Sequence, residues 1–191
     1  MTLHVFKSRR FLFAAFFGLL GLLAACSTTE MQDPALAARG PLTLQPGDRV
    51  HLTVWGQDQM TGEYLVERDG TIAVPLAGRV SVVNMTPSEA EKAVRDRLKN
   101  GLVINPQVTV DVVQFRPIYV VGEVNHPGAY DYVSNLNVIN AIALAGGFTY
   151  RAKEDAVTVM RGMPPNQKKY DVSSTTMLLP GDVITVPQRY F

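Results

Sequence analysis

The chain has 191 residues, with 18 Lys/Arg against 17 Asp/Glu, three histidines and a single cysteine. That length fits one or two small domains, and a near-neutral mix of charges lacks the basic stripe that marks nucleic-acid binding. One cysteine excludes an internal disulfide, so burial must hold the fold together.

Lys7, Arg9 and Arg10 precede an uncharged apolar run from Phe11 to Ala25. The run has the length of an export-signal h-region and is shorter than the roughly 20 residues a membrane-spanning helix needs. Small residues close it, Leu23-Ala24-Ala25-Cys26. Residues 1–25 are read as a signal peptide cleaved between Ala25 and Cys26, with an uncleaved anchor as the alternative. Loss of its three cations leaves 15 basic against 17 acidic residues, a net charge of about −2. Residues 26–41, polar on balance with Pro34 and Pro41 near the ends, read as a tether.

The body begins with Leu42 and Leu44 before a Pro46-Gly47-Asp48 turn, after which Val50, Leu52 and Val54 alternate as in a half-buried strand. Two or three short strands follow, with Asp69-Gly70 as a hairpin turn between them and Pro75 at an edge or bulge. Thr86-Pro87-Ser88-Glu89 is a capping box with proline at the first helical position. Ala90, Ala93, Val94 and Leu98 then form an apolar helical stripe, and Asn100-Gly101 ends it. Val108, Val110 and Val112 alternate as a strand. These pieces make an α+β unit over 42–115.

A second unit is expected over 116–191. It opens with a strand, "IYVVGEV", containing Gly122, followed by a turn cluster at Asn125-His126-Pro127-Gly128. Asn137 caps a helix over Val138 to Ala145, terminated by Gly146-Gly147. A hairpin folds around Met163-Pro164-Pro165-Asn166, and a last strand follows Pro180-Gly181-Asp182. Two Pro-Gly-Asp turns, each opening an alternating strand, suggest two related or analogous β-rich modules; repeated use of a favoured turn is the alternative. Gly70, Gly146 and Gly147 stand where positive φ is commonly needed.

The order "LQPGDRVHLTVW", "RDGTIAVPLAGRVSV", "MTPSEAEKAVRDRL", "NPQVTVDVVQF" resembles the polysaccharide-export domain of bacterial outer-membrane lipoproteins. "IYVVGEVNHPGAYDYVSNLNVINAIALAGGFT" with "LLPGDVITVP" is similar to the soluble-ligand-binding β-grasp domain that follows it in that family. Leu-Ala-Ala-Cys likewise resembles the bacterial lipobox, which implies lipidation of Cys26, the two-signal anchoring that stable membrane attachment requires. Ser27, where an inner-membrane retention signal would have Asp, favours the outer membrane. The family resemblance implies export of capsular, exopolysaccharide or related glycans. It also implies ring homo-oligomers above an inner-membrane polysaccharide copolymerase, often coupled to a tyrosine kinase. Longer family members continue to a C-terminal amphipathic helix. This chain stops at "PQRYF", with no apolar span after residue 101 and no ladder of barrel strands. The expectation is a short form that works with a separate outer-membrane pore protein.

Three functions are weighed. The leading one is a periplasm-facing, lipid-anchored conduit or adaptor that needs shape and no chemistry. The second is a monomeric saccharide-binding lipoprotein with Trp55, Tyr130 and Tyr132 as candidate saccharide contacts, Tyr119 and Tyr150 as further stacking faces. Core packing is the plainer role for most of these aromatics. The third, catalysis, needs two carboxylates across a cleft or a nucleophile with an oriented base. Asp48, Asp69, Glu123, Asp131 and Asp182 are candidates only by default, because Asp48, Asp69 and Asp182 sit in turns where aspartate bonds its own backbone. His51 and His126 lack metal-ligand spacing, so no enzyme activity, metal or cofactor is expected.

Overall fold

In the computed structural model, which describes residues 40–101 and 103–189, Val50, Leu52 and Val54 are the buried face of strand β1 (Arg49–Val54). The chain continues through β2 (Gly62–Leu65), β3 (Thr71–Val74), β4 (Gly78–Ser81), helix α1 (Pro87–Lys99) and β5 (Val108–Gln114). β1 is the centre of an antiparallel sheet in the order β2-β1-β5, while β3 and β4 pair separately. The capping box forms: Glu89 N–H donates to Thr86 Oγ1 at 3.3 Å, and Thr86 N–H donates to Glu89 Oε2 at 2.8 Å. This fixes the rotation of α1 so that Ala90, Val94 and Leu98 face the first core, where Leu52 and Ile72 are also fully buried. Each large aliphatic side chain so buried contributes about 1.5–3 kcal/mol of transfer free energy.

The second half forms β6 (Ile118–Gly122), β7 (Gly128–Tyr130), helix α2 (Val138–Leu144), β8 (Thr158–Arg161), β9 (Lys168–Asp171) and β10 (Val183–Val186). The sheet order is β7-β6-β10-β8-β9, with β6 and β10 parallel and the other neighbours antiparallel. Ile118, Val120, Val159 and Ile184 pack with Val138, Ala141 and Ile142 of α2 in a second core. The fold is α+β: among the described residues, two β-rich modules with one α-helix each.

Several local expectations change. Asp69-Gly70 lies in a turn, but β2 and β3 belong to different sheets, so it does not close a hairpin between paired strands. The Gly70 carbonyl instead accepts from the N–H groups of Val82 and Val83, tying the turn to the end of β4. The hairpin is β3–β4, and Pro75 stands at its tip, not along an edge. There Ala77 N–H donates to the Pro75 carbonyl at 2.7 Å with Leu76 at φ 64, a strained three-residue turn. Gly128 begins strand β7 instead of lying in the preceding turn. The "IYVVGEV" strand stops at Gly122, whose φ of 91 breaks the extended run. Among the described residues no helix is long and apolar enough to cross a membrane.

Candidate functional site

The two Pro-Gly-Asp turns are built alike. At the first, Asp48 N–H donates to the Gln45 carbonyl at 3.1 Å while Gln45 N–H donates to Asp48 Oδ2 at 2.8 Å. At the second, Asp182 N–H donates to the Leu179 carbonyl at 3.1 Å and Leu179 N–H to Asp182 Oδ2 at 2.8 Å. Gly47 and Gly181 take φ values of 97 and 83 between the proline and the aspartate, which a side chain would resist.

Each aspartate is buried, at 0% and 1% exposure, and each is met by an arginine. Arg116 donates from its backbone N–H to Asp48 Oδ1 at 2.8 Å and from its guanidinium to both oxygens at 3.2 and 3.0 Å. Arg161 donates to Asp182 Oδ1 at 3.0 Å and Oδ2 at 2.7 Å, and to the Met177 carbonyl at 3.1 Å. Arg116 also lies over the second turn, since a Cβ on Gly181 would come within 2.7 Å of its Nε. One cation therefore ties the first turn and covers the second. Asp48 and Asp182 act as structural acceptors for these donors.

The remaining turn residues serve the same end. Asp69 accepts from the hydroxyl and N–H of Thr71 and from Arg79, which also pairs with Glu67. The Thr71 bonds, with Arg79 beside them, hold the Asp69 carboxyl below its ordinary range. A Cβ on Gly122 would lie 2.1 Å from the Val186 carbonyl oxygen in the neighbouring strand. Pro127 leads into β7, where Tyr130 Oη donates to the His126 carbonyl. Gly146 and Gly147, at φ 79 and 83, end α2, with Gly147 N–H donating to the Ile142 carbonyl at 2.9 Å. Glu123 accepts from the Thr149 hydroxyl and Asp131 from the Gln114 amide. Among the described residues no His, Cys, Asp and Glu group could hold a metal ion.

The aromatic candidates divide. Tyr130 and Tyr132 pack half-buried on the second core. Tyr132 sets its ring edge-to-face with Phe115 at 5.7 Å, and burial, then the nearby Asp182 carboxylate, pushes its hydroxyl above the ordinary value. Both rings are part of the packing around the second core and keep some exposed surface. Tyr119 and Tyr150 are exposed. Trp55 is 80% exposed and, with Thr53, Gln107, Val108 and Thr109, lines a shallow cleft of about 310 Å³. Cys26 and Ala25 lie outside the described residues.

Residues 37–113 match the polysaccharide biosynthesis/export protein family, and residues 117–173 match the SLBB domain. A stretch of 141 residues, 72% of this chain, is 30% identical to the polysialic acid transport protein KpsD of Escherichia coli. The chain belongs to the bacterial polysaccharide export protein family. It is also 34% identical over 90 residues, 46% of its length, to the exopolysaccharide production protein ExoF of Rhizobium meliloti (strain 1021). Over 141 residues, 63% of its length, it is 29% identical to the capsule polysaccharide export outer membrane protein CtrA of Neisseria meningitidis serogroup A. It spans only 25% of KpsD, 21% of ExoF and 36% of CtrA.

For this member of the export family, sequence reading located the turns and overlooked Arg116 and Arg161. Their role depends on which carboxylates the fold brings beside them, 68 and 21 residues away in the chain. A usable signal was present nonetheless: an aspartate held inside a turn and excluded from water requires a cation or several donors. Arg116 stands where the two modules join.

Proposed function

We propose that this chain is a lipid-anchored, periplasm-facing component of a polysaccharide export machine at the outer membrane, working as a non-catalytic conduit or adaptor. The observation that carries this is the succession of the two family matches, 37–113 then 117–173, along one chain that aligns over 141 residues with a polysaccharide transport protein. The basic and apolar leader ending in Leu23-Ala24-Ala25-Cys26 supports lipidation at Cys26. The name of CtrA, an outer membrane export protein, supports the location. The carboxylates that would be asked to act as acids or bases are already engaged with backbone N–H groups, hydroxyls, a side-chain amide or arginine, which supports a role without catalysis.

The working form is a ring of identical copies. Support comes from the second sheet, where Tyr119, Val183 and Met160 align across β6, β10 and β8 on the face opposite the core. Tyr119 and Met160 there are exposed, the kind of surface that a heterologous contact repeated around an axis buries. The partners are the exported polysaccharide and an inner-membrane copolymerase or tyrosine kinase. The test is deletion and complementation in the producing bacterium. Deletion should remove surface polysaccharide, and Cys26→Ser should release a folded protein from the membrane fraction. Unchanged surface polysaccharide in the deletion strain would sink the export role, and normal processing and membrane retention of Cys26→Ser would sink the anchor.

A further inference from the structure

The outward face of the first sheet carries an exposed aromatic on a braced backbone. Val54 precedes a turn in which Gln57 N–H donates to the Val54 carbonyl at 3.0 Å, with Gly56 at φ 72. Trp55 is the first residue of that turn, and its N–H donates to the Gln107 carbonyl at 3.0 Å. The Thr61 hydroxyl clamps the same turn, accepting from Val54 N–H at 3.1 Å and reaching the Val54 and Gln57 carbonyls. None of these bonds depends on the indole. The backbone is braced while the ring stays 80% exposed.

The surroundings of that ring select among occupants. Its cleft is lined by Thr53, Gln107, Val108 and Thr109, two hydroxyls and a carboxamide with no charged group. Thr53 and Thr109 are paired directly across β1 and β5 on the outward face. Two residues along β1, about 6.5–7 Å away, His51 faces Glu63 on one neighbour and Asp111 on the other. A protein-docking centre would surround the indole with apolar side chains, and a membrane-inserting tip would have no use for a polar floor. An aromatic face flanked by neutral hydrogen-bonding groups suits a pyranose ring, whose C–H face stacks while its hydroxyls bond to threonine and carboxamide.

We propose that Trp55, with Thr53, Gln107 and Thr109, forms a glycan-stacking site that engages neutral sugar units of the exported polysaccharide. This rests on the export reading above and adds the place of contact and the class of unit contacted.

Trp55 is the only tryptophan of the chain, so its emission reports this site alone. The probe is surface polysaccharide extracted from the producing bacterium, partially hydrolysed and end-labelled, titrated into the full chain in detergent. Expected are a saturable change in tryptophan emission and a matching equilibrium-dialysis isotherm. Trp55→Ala should weaken binding about tenfold, and Trp55→Phe, which keeps a stacking face, only a few-fold. Thermal unfolding should be unaltered, because the side chain is exposed. Absence of binding, binding that leaves the emission unchanged, or equal binding by Trp55→Ala would each overturn the proposal. So would a Trp55→Ala variant that keeps glycan affinity but changes oligomer size or loses binding to phospholipid vesicles, since the ring would then be a protein or membrane contact. The deletion strain separates the two readings. If deletion abolishes surface polysaccharide but Trp55→Ala binds glycan normally, only the stacking site fails.

Discussion

Replacing Asp48 by alanine removes the acceptor for Gln45 N–H, Arg116 N–H and the Arg116 guanidinium at one stroke. The carboxylate is fully buried, whereas the Arg116 side chain keeps 22% exposure. The stranded cation therefore recovers part of its hydration, while the two backbone donors lose a buried partner at about 1–3 kcal/mol apiece if neither finds water. Removing one member of a buried ion pair costs about 3–5 kcal/mol, and the partial exposure of Arg116 places Asp48→Ala near the lower end, about 3 kcal/mol. For a body of about 150 residues that lowers Tm by roughly 6–12 °C. Urea unfolding followed by two signals is the informative assay. Hydrogen exchange at the β1 and β5 amides reports the first module and far-UV circular dichroism reports both. Because Arg116 ties the first turn and covers the second, the wild type should unfold in one transition by both signals. Asp48→Ala should separate them, with the hydrogen-exchange midpoint falling further. A double-mutant cycle with Arg116→Ala should return a coupling of about 1–3 kcal/mol. A loss below about 1 kcal/mol, the scale of a solvent-exposed pair, or additivity in the cycle, would refute the reasoning.

Three further outcomes follow from particular geometries. Gly122→Ala drives a methyl group into the Val186 carbonyl and should prevent the second module from folding. Gly147→Ala, at a similar φ but with open space around it, should cost only about 1 kcal/mol; equal losses measured by urea titration would contradict the distinction. Leu76→Gly should raise Tm slightly, because an exposed leucine at φ 64 pays for a left-handed backbone that glycine adopts freely. An unchanged or lower Tm for this variant counts against strain at the hairpin tip. The Thr86 N–H, then its hydroxyl, hold the Glu89 carboxyl below its ordinary value of 4.5. A folded-state value below the unfolded one adds stability that is present above pH 4.5 and lost as pH falls through the lower value. Glu89→Gln should therefore be less stable at neutral pH and converge with wild type in acid; parallel stability curves would exclude this linkage.

The elements formed from local signals were legible one residue at a time. The capping box at Thr86, the stripe of Ala90, Val94 and Leu98, the alternation in β1 and β5, and the glycine stop after α2 all act within a few residues. Backbone hydrogen bonding and side-chain period decide such features before any distant contact forms. The Asp69-Gly70 hairpin was misread because turn chemistry specifies that the chain reverses and leaves open which strand receives it. Pairing was decided by Gly70 meeting Val82 and Val83 and by β1 taking β2 and β5 as its neighbours.

The candidate site divides along the same line. Sequence alone marked Cys26 as the anchor candidate, both Pro-Gly-Asp turns, and Trp55 as one of three candidate saccharide contacts beside Tyr130 and Tyr132. Tertiary structure decided that Tyr130 and Tyr132 lie half-buried against the second core and that Trp55 stands exposed beside Thr53 and Gln107. It also decided that the two aspartates are buried against Arg116 and Arg161. Burial and ion pairing depend on distances through space, and here those partners lie 68 and 21 residues apart along the chain.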